Sequence, residues 1–184
     1  MTAQSDVSSA SPATYSPTAR RLHWWTVLFL AIQIPLGFAM VNIDGFPAPL
    51  YNFHKLFGLV ILLLVIVRLG YRLINGAPPD EPTLNVFEKI ASHVTHWTLY
   101  GMLLLTPILG WLGISYYDAR DVFGFTIPAL VAKDQDFSER VFLWHKYAVI
   151  AIVLLAGLHI AAALMHYLVK KDGVLARMIP ALRR

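Results

Sequence analysis

Three histidines interrupt the most apolar stretch near the end of the chain, residues 144–169. They are His145, His159 and His166, and the residues around them are apolar enough for a membrane span. An ionisable side chain at membrane depth is unfavourable, so it usually faces the interior of a helix bundle and has a function there. Imidazole is also the commonest side-chain metal ligand. The stretch therefore predicts a transmembrane helix that carries metal-binding histidines.

The spacing of two of these histidines suits two metal centres at different depths. His145 and His159 are 14 positions apart. In a helix this brings them to within about 40° of the same face and separates them by about 21 Å along the axis. Two centres stacked through a bilayer would need ligands at such a separation.

Composition restricts the class of protein. The chain has 184 residues, 57% hydrophobic content and a mean hydropathy of +0.58, which indicates a single-domain integral membrane protein. The absence of cysteine excludes disulfides, thiolate-held iron–sulfur clusters and covalent c-type haem attachment. The net charge of +4 comes from Lys and Arg clustered beside the apolar runs, as in topogenic signals, and no nucleic-acid-binding motif is present.

Four apolar segments are each long enough to cross a hydrocarbon core, which needs about 20 residues. They cover about residues 22–41, 51–73, 93–114 and 141–169. Residues 1–18, rich in Ser, Ala, Thr and Pro, predict a disordered leader, so residues 19–184 form the transmembrane domain. The long connection 115–140 is expected to form a surface cap or a short interfacial helix. The predicted fold is an all-α membrane protein, a four-helix transmembrane bundle.

The charges beside the spans predict that both termini are cytoplasmic, because Lys and Arg are enriched on that side. The side that carries the termini would hold Arg20, Arg21, Arg68, Arg72, Lys89, Lys170, Lys171, Arg177, Arg183 and Arg184. The opposite side would hold Lys55, Arg120, Lys133, Arg140 and Lys146, among five acidic residues of the long connection.

This topology pairs four histidines by depth. The outer pair is His54 with His145, and the inner pair is His23 with His159. Two bis-histidine sites in a four-helix bundle are what a transmembrane electron carrier with two haem b groups requires. The bundle would then enclose two b-type haems, with these four histidines as axial iron ligands.

Other roles are open for the histidines. One histidine in a span could bond to a neighbouring helix, and the expected role of His93 and His96, at the inner end of the third span, is interfacial or supporting. His166 lies about 10 Å nearer the cytoplasm than His159, where a proton-coupled substrate could bind. A haem-free carrier with histidine proton relays is a further alternative, but the acidic residues that such carriers place mid-span are missing.

Several motifs together resemble the bacterial cytochrome b561 family over nearly the whole chain after the leader. They are RRLHWW, NFHKLFG, VRLGYRL, SHVTHWTLY, FGFTIP, WHK and GLHIAAALMHYLVKKDGVLARMIP. The resemblance implies that His23, His54, His145 and His159 are the axial ligands of two haem b groups. It also implies that His166 and Lys171 lie at a quinone site, in a multi-pass protein of the bacterial inner membrane.

Within the family, the resemblance is greatest to superoxide oxidases, which implies electron transfer from superoxide outside to ubiquinone inside. The long outer connection carries more acid than base, which does not by itself attract an anion. Lys55 and Lys146 could form a smaller cationic surface, and Arg20, Arg21, Arg68 and Arg72 are candidates to bind haem propionates. The alternative function is an electron relay between the quinone pool and a partner redox protein, without superoxide activity. The sequence gives no oligomeric state, and membrane lipid is the other expected partner.

Overall fold

The computed structural model describes residues 14–182, and four long helices dominate it. They are α1 (Pro17–Asn42), α2 (Ala48–Asn75), α3 (Val86–Tyr117) and α4 (Gln135–Met165), and α4 continues as a π-helical turn over His166–Lys170. A small antiparallel hairpin between α3 and α4 consists of β1 (Asp121–Val122) and β2 (Phe125–Thr126). Two 3₁₀ turns, Leu175–Arg177 and Pro180–Leu182, follow α4. The prediction of a mostly helical protein with four long apolar helices is confirmed, and the hairpin is an addition to it.

All four helices are long and apolar enough to cross a membrane. The first three predicted spans lie inside α1, α2 and α3, and the fourth, 141–169, covers part of α4 and the π-helical turn that continues it. Two helices begin well before the predicted spans, since polar residues cap them. Asn85 and Glu88 form a reciprocal capping box that starts α3, and the Asp134 carboxylate accepts from the Phe137 amide at 3.0 Å to start α4. The segment that reads as charged loop, KDQDFSER, is therefore mostly the first turns of α4.

Helix α1 begins at Pro17, inside the segment 1–18 that the sequence predicts as a leader. Residues 1–13 lie outside the part of the chain that the structure describes. Ser16 is the N-cap of α1, since its hydroxyl accepts from the Ala19 amide at 3.2 Å, and Pro17 occupies the first helical position. Both residue types are favoured at these positions. The Tyr15 amide also donates to the Arg177 carbonyl at 3.3 Å.

The long connection forms a surface cap, but as a hairpin and not as an interfacial helix. Its turn residues Phe123 and Gly124 both have positive φ, 49° and 86°, as tight two-residue hairpin turns require. The Lys55 ammonium donates to the Asp121 carbonyl at 3.0 Å, and the rings of Phe53 and Phe123 meet edge to face. These contacts hold the hairpin against the beginning of α2.

The helices pack in chain order, α1 on α2, α2 on α3 and α3 on α4. Ile61, Val65, Leu103 and Ile152 form the buried core, in which Val65 has 0% exposure. Among the described residues, α4 makes no comparably extensive backbone approach to α1 or α2. Many large apolar side chains point outward, as expected for helices in lipid. Side chains therefore occupy the interior between α4 and the first two helices.

The bundle has two ends, which we name by their contents. The terminal face carries the start of α1, the ends of α2 and α4 and the start of α3, and it is tied together by a Ser16–Tyr71 hydrogen bond and a Lys170–Glu88 ion pair. The hairpin face carries the α1–α2 turn, β1, β2 and the start of α4. In the sequence prediction, the terminal face is the cytoplasmic one.

Close packing of α3 and α4 gives a prediction for Gly113. A Cβ at this position would lie 2.5 Å from Phe142 Cε1, so Gly113→Ala should force the ring or the helices apart. We expect a loss of about 1–3 kcal/mol and a lower melting temperature in detergent. Gly101→Ala on the same helix, where a Cβ meets nothing within 4 Å, is the matched control. Equal melting temperatures for the two variants would contradict this packing.

Candidate functional site

Near the hairpin face, α2 and α4 bring two histidines together. The ring centroids of His54 and His145 are 6.3 Å apart, with the rings inclined at 78°. The Nδ1 of His145 lies 2.8 Å from the Thr106 carbonyl oxygen, which can only accept. Nδ1 must therefore carry the proton, and the Nε2 lone pair of His145 is free for a metal. We call these two residues the hairpin-side pair.

Glycines make room for both rings of the hairpin-side pair. A Cβ at Gly37 on α1 would lie 2.9 Å from His54 Cε1, and a Cβ at Gly110 on α3 would lie 3.2 Å from His145 Cε1. The Nδ1 of His54 is buried and has no hydrogen-bond partner among the described residues. Each ring therefore packs against a glycine of a neighbouring helix, where no side chain intervenes.

Gln33 supports the His54 backbone and is absent from the sequence prediction. Its amide group donates to the His54 carbonyl at 2.9 Å and lies 3.6 Å from where a Cβ of Gly58 would be. A mid-span glutamine is costly in lipid unless it is bonded. That polarity was the signal in the sequence that could have pointed to Gln33.

Near the terminal face, α1 and α4 bring His23 and His159 together, with ring centroids 6.4 Å apart and an inclination of 70°. We call them the terminal-side pair. His96 of α3 packs edge to face against His159, at a centroid distance of 5.1 Å, and its Nδ1 lies 3.3 Å from the Ser92 hydroxyl. His96 therefore belongs inside the bundle, whereas His93 is exposed and lies 3.4 Å from the Asp80 carboxylate.

Arg68 is the charged neighbour of the terminal-side pair. Its guanidinium donates to His23 Nδ1 at 2.9 Å and lies over the Tyr100 ring at 5.1 Å. Among the described residues, no carboxylate forms a salt bridge with Arg68 or with Arg72. Both cations are therefore available to an anionic group inside the terminal end of the bundle.

The two pairs fit a haem with two axial imidazoles at each level. Two imidazoles that bind one metal ion from opposite sides have ring centres roughly 6 Å apart, since each metal–nitrogen bond is about 2 Å and each ring centre lies ~1 Å further. The observed 6.3 and 6.4 Å agree. Within residues 14–182, no three His, Cys, Asp or Glu side chains converge to hold a metal ion by themselves. The donor sets suit a cofactor that brings its own equatorial ligands.

Binding of haem iron by His23 would require a change in the tautomer of its ring. Because Nδ1 accepts from Arg68, the neutral ring holds its proton on Nε2, the nitrogen that would bind iron. Ligation by Nε2 requires the proton to move to Nδ1 and Arg68 to find another acceptor. An anionic haem substituent would be such an acceptor.

His166 and Lys171, the two residues predicted at a quinone site, have side chains in different environments. His166 is buried at the start of the π-helical turn, and its Nδ1 lies 2.6 Å from the Asp172 carboxylate. Lys171 is exposed and has a left-handed backbone, with φ of 56°. Asp172 is thus the close partner of His166, and the sequence prediction missed it because a turn reverses the chain between the two residues.

Comparison with known proteins shows the family of the chain. A family model described as prokaryotic cytochrome b561 matches residues 14–181. The chain is 29% identical over 178 residues to cytochrome b561 homolog 2 of Escherichia coli (92% of this chain, 93% of the relative). It is 28% identical over 176 residues to the probable superoxide oxidase CybB of Yersinia pestis (92% and 97%) and 32% identical over 129 residues to cytochrome b562 of Cereibacter sphaeroides (68% and 65%).

The glycine behind His54 gives a prediction that separates the two pairs. Gly37→Ala places a methyl group against the His54 ring, so the ring must move out of line with His145. We expect about half of the bound haem to be lost, because overpacking acts on one level only, as measured by the pyridine haemochrome assay per chain. Gly70→Ala on α2, where a Cβ meets nothing within 4 Å, is the control. Full haem content in the Gly37 variant would contradict the crowding argument.

Proposed function

Because the chain belongs to the prokaryotic cytochrome b561 family of electron-transfer membrane proteins, we propose that it is a di-haem b cytochrome of the bacterial inner membrane that transfers electrons from a periplasmic one-electron donor to ubiquinone. Superoxide is the first candidate for the donor, since a relative of similar length is named a probable superoxide oxidase. The observation that carries the proposal is the pair of bis-histidine sites, about 21 Å apart along α4.

Each histidine has a distinct part in this proposal. His54 and His145 would hold the haem nearer the periplasm, and His23 and His159 the haem nearer the cytoplasm. Haem iron, when bound, supplies a one-electron carrier whose potential depends on axial ligands and burial. The Thr106 carbonyl orients His145 and would raise its basicity as a ligand. His96, which packs edge to face against His159, would position that ring.

The terminal-side cations suit haem propionates. Arg68 and Arg72 are the better candidates, since both lie inside the terminal end of the bundle without a carboxylate partner in the described chain. Arg72 donates to the Tyr15 hydroxyl at 3.3 Å. Arg20 and Arg21 line a surface groove with Trp24 and Trp25, a composition typical of anchoring at a lipid interface. Arg68 would leave His23 for a propionate when the site is loaded.

The terminal face would receive ubiquinone. His166 lies about 10 Å from His159 along the helix axis and can bond to a quinone carbonyl. Lys171 is exposed close by and could attract the developing negative charge. On this assignment, the cytoplasm supplies the protons that reduction of ubiquinone to ubiquinol consumes.

The hairpin face favours a second candidate, an electron relay to or from a partner redox protein. Its carboxylates slightly outnumber its cations, and Lys55 is committed to the Asp121 carbonyl. Such a surface attracts a cationic protein better than it attracts superoxide. Lys146 is an exposed cation of this face and is adjacent in sequence to His145, so superoxide would meet it near the haem ligand.

Ligand replacement tests the haem assignment. We expect His54→Ala and His145→Ala to remove one haem and His23→Ala and His159→Ala the other, each leaving about half of the b-type absorbance because axial imidazole is lost at one level only. His93→Ala, at an exposed histidine of the same face as His23, should keep both. Full absorbance after His159→Ala would contradict the assignment.

Rapid mixing distinguishes the two candidate donors. If superoxide is the donor, its addition to the oxidised protein should reduce haem within the mixing experiment, and ubiquinol should form when ubiquinone is present. Lys146→Glu should slow this step by about tenfold, with a dependence on ionic strength, because it reverses an attractive charge. Lys133→Glu in the same connection is the control. Absence of haem reduction by superoxide would favour the relay.

A further inference from the structure

A buried carboxylate–imidazole pair lies where the proposed function needs a proton. His166 Nδ1 and Asp172 Oδ2 are 2.6 Å apart, and the two side chains are only 8% and 3% exposed. A charged or strongly polar pair is rarely this deeply buried unless its members are hydrogen-bonded and have a functional role. Asp172 lies within the motif GLHIAAALMHYLVKKDGVLARMIP, but the sequence analysis assigns it no role.

The end of α4 is built to form this pair. The π-helical turn His166–Lys170 is followed by Lys171 in the left-handed region, and the Lys171 and Asp172 amides both donate to the His166 carbonyl. The chain therefore turns back on itself, and Asp172 returns to the level of His166. π-Helical turns are rare and frequently mark functional sites.

Asp172 is fixed from two other sides. The Thr83 hydroxyl, from the α2–α3 connection, donates to Oδ2 at 3.3 Å, and the Val174 amide donates to Oδ1 at 3.1 Å. These two hydrogen bonds fix the position of the Asp172 carboxylate, and neither comes from Lys171. Its remaining strong contact is the imidazole, so its position determines how that ring is oriented.

We propose that His166 and Asp172 act as a dyad in which His166 is the proton donor to the bound quinone and Asp172 is its positioning residue. The proposal rests on ubiquinone being the acceptor. Since Nδ1 is bonded to the carboxylate, Nε2 is the nitrogen that can meet a substrate carbonyl. When Nε2 also carries a proton, the carboxylate balances the ring's charge, as in other carboxylate–histidine pairs.

The overall reaction balances with superoxide as the donor. Two superoxide ions are oxidised to two O₂, and their two electrons, together with two protons, reduce one ubiquinone to ubiquinol. One new O–H bond receives its proton from His166 Nε2, whose N–H bond breaks. His166 then takes a proton back from cytoplasmic water, and the second carbonyl oxygen is protonated from the same source.

Other charged groups lie on the elements around the dyad. Glu88 at the start of α3 pairs with Lys170 of the π-helical turn. The Glu81 carboxylate lies 3.1 Å from where a Cβ of Gly173 would be, and Arg177 donates to the Pro79 carbonyl. Of the carboxylates in the described residues, Asp172 is the one in hydrogen-bond contact with the His166 ring.

The test separates proton delivery from electron transfer. Purified protein with bound haem is reduced anaerobically with dithionite and mixed with decylubiquinone or with ferricyanide, which accepts an electron without a proton. We expect Asp172→Asn and His166→Gln to slow oxidation by the quinone by about 10- to 100-fold and to leave oxidation by ferricyanide unchanged. Asp172→Glu should recover part of the rate, and the double variant should be no slower than the slower single variant.

The matched control is Asp80→Asn, which disrupts an exposed His–Asp pair, His93 with Asp80, on the same face. It should oxidise at the wild-type rate with both acceptors. Unchanged quinone oxidation in both dyad variants overturns the proposal. So does equal slowing with ferricyanide, or loss of haem in both variants, since either assigns the pair to folding. If ubiquinone fails to oxidise even the wild-type protein, the assigned acceptor is wrong, and that result is distinct from a failure of the dyad alone.

Discussion

Hydrocarbon penalises a polar ring without a partner, and this constraint governs the bundle, because four histidine rings lie in its interior. Two of these rings have polar partners on neighbouring helices, since Thr106 accepts from His145 and Arg68 donates to His23. The His54 ring instead packs against Gly37 of α1, and its Nδ1 has no partner among the described residues. With α4 packed on α3 but not closely on α1 or α2, the histidines of α4 face those of α1 and α2 across the interior.

The pairing of histidines followed from the sequence because it depends on quantities that a sequence contains. Helix rise converts 14 residues into a depth, and the number of spans decides which ends share a face. The structure places His54 beside His145 and His23 beside His159 as this reasoning predicted. Their role as ligands stays a prediction.

The structural features that the sequence did not predict depend on local reversals of the chain and on contacts between helices. The hairpin turn at Phe123 and Gly124 lacks the usual Asn-Gly signal, so residues 115–140 were expected to cap the bundle without a strand. The capping box at Asn85 and Glu88 is a signal present in the sequence, and it places the start of α3 earlier than the apolar segment alone predicts. Gly37 and Asp172 could not be found by spacing, since their importance lies in what another helix or a reversed chain brings against them.

The two ends of the bundle differ in how they use charge, and the difference bears on mechanism. At the hairpin face, Asp118 pairs with Arg120, Asp121 accepts from Thr126 and Asp134 caps α4. These acids are engaged in local structure, so the excess of acid there acts as a weak general field and not as a built site. At the terminal face, by contrast, Arg68 is bonded to a histidine, and Asp172 is bonded to another. These two charged side chains are hydrogen-bonded to imidazole rings, which is the arrangement expected where electron arrival must be matched by proton uptake.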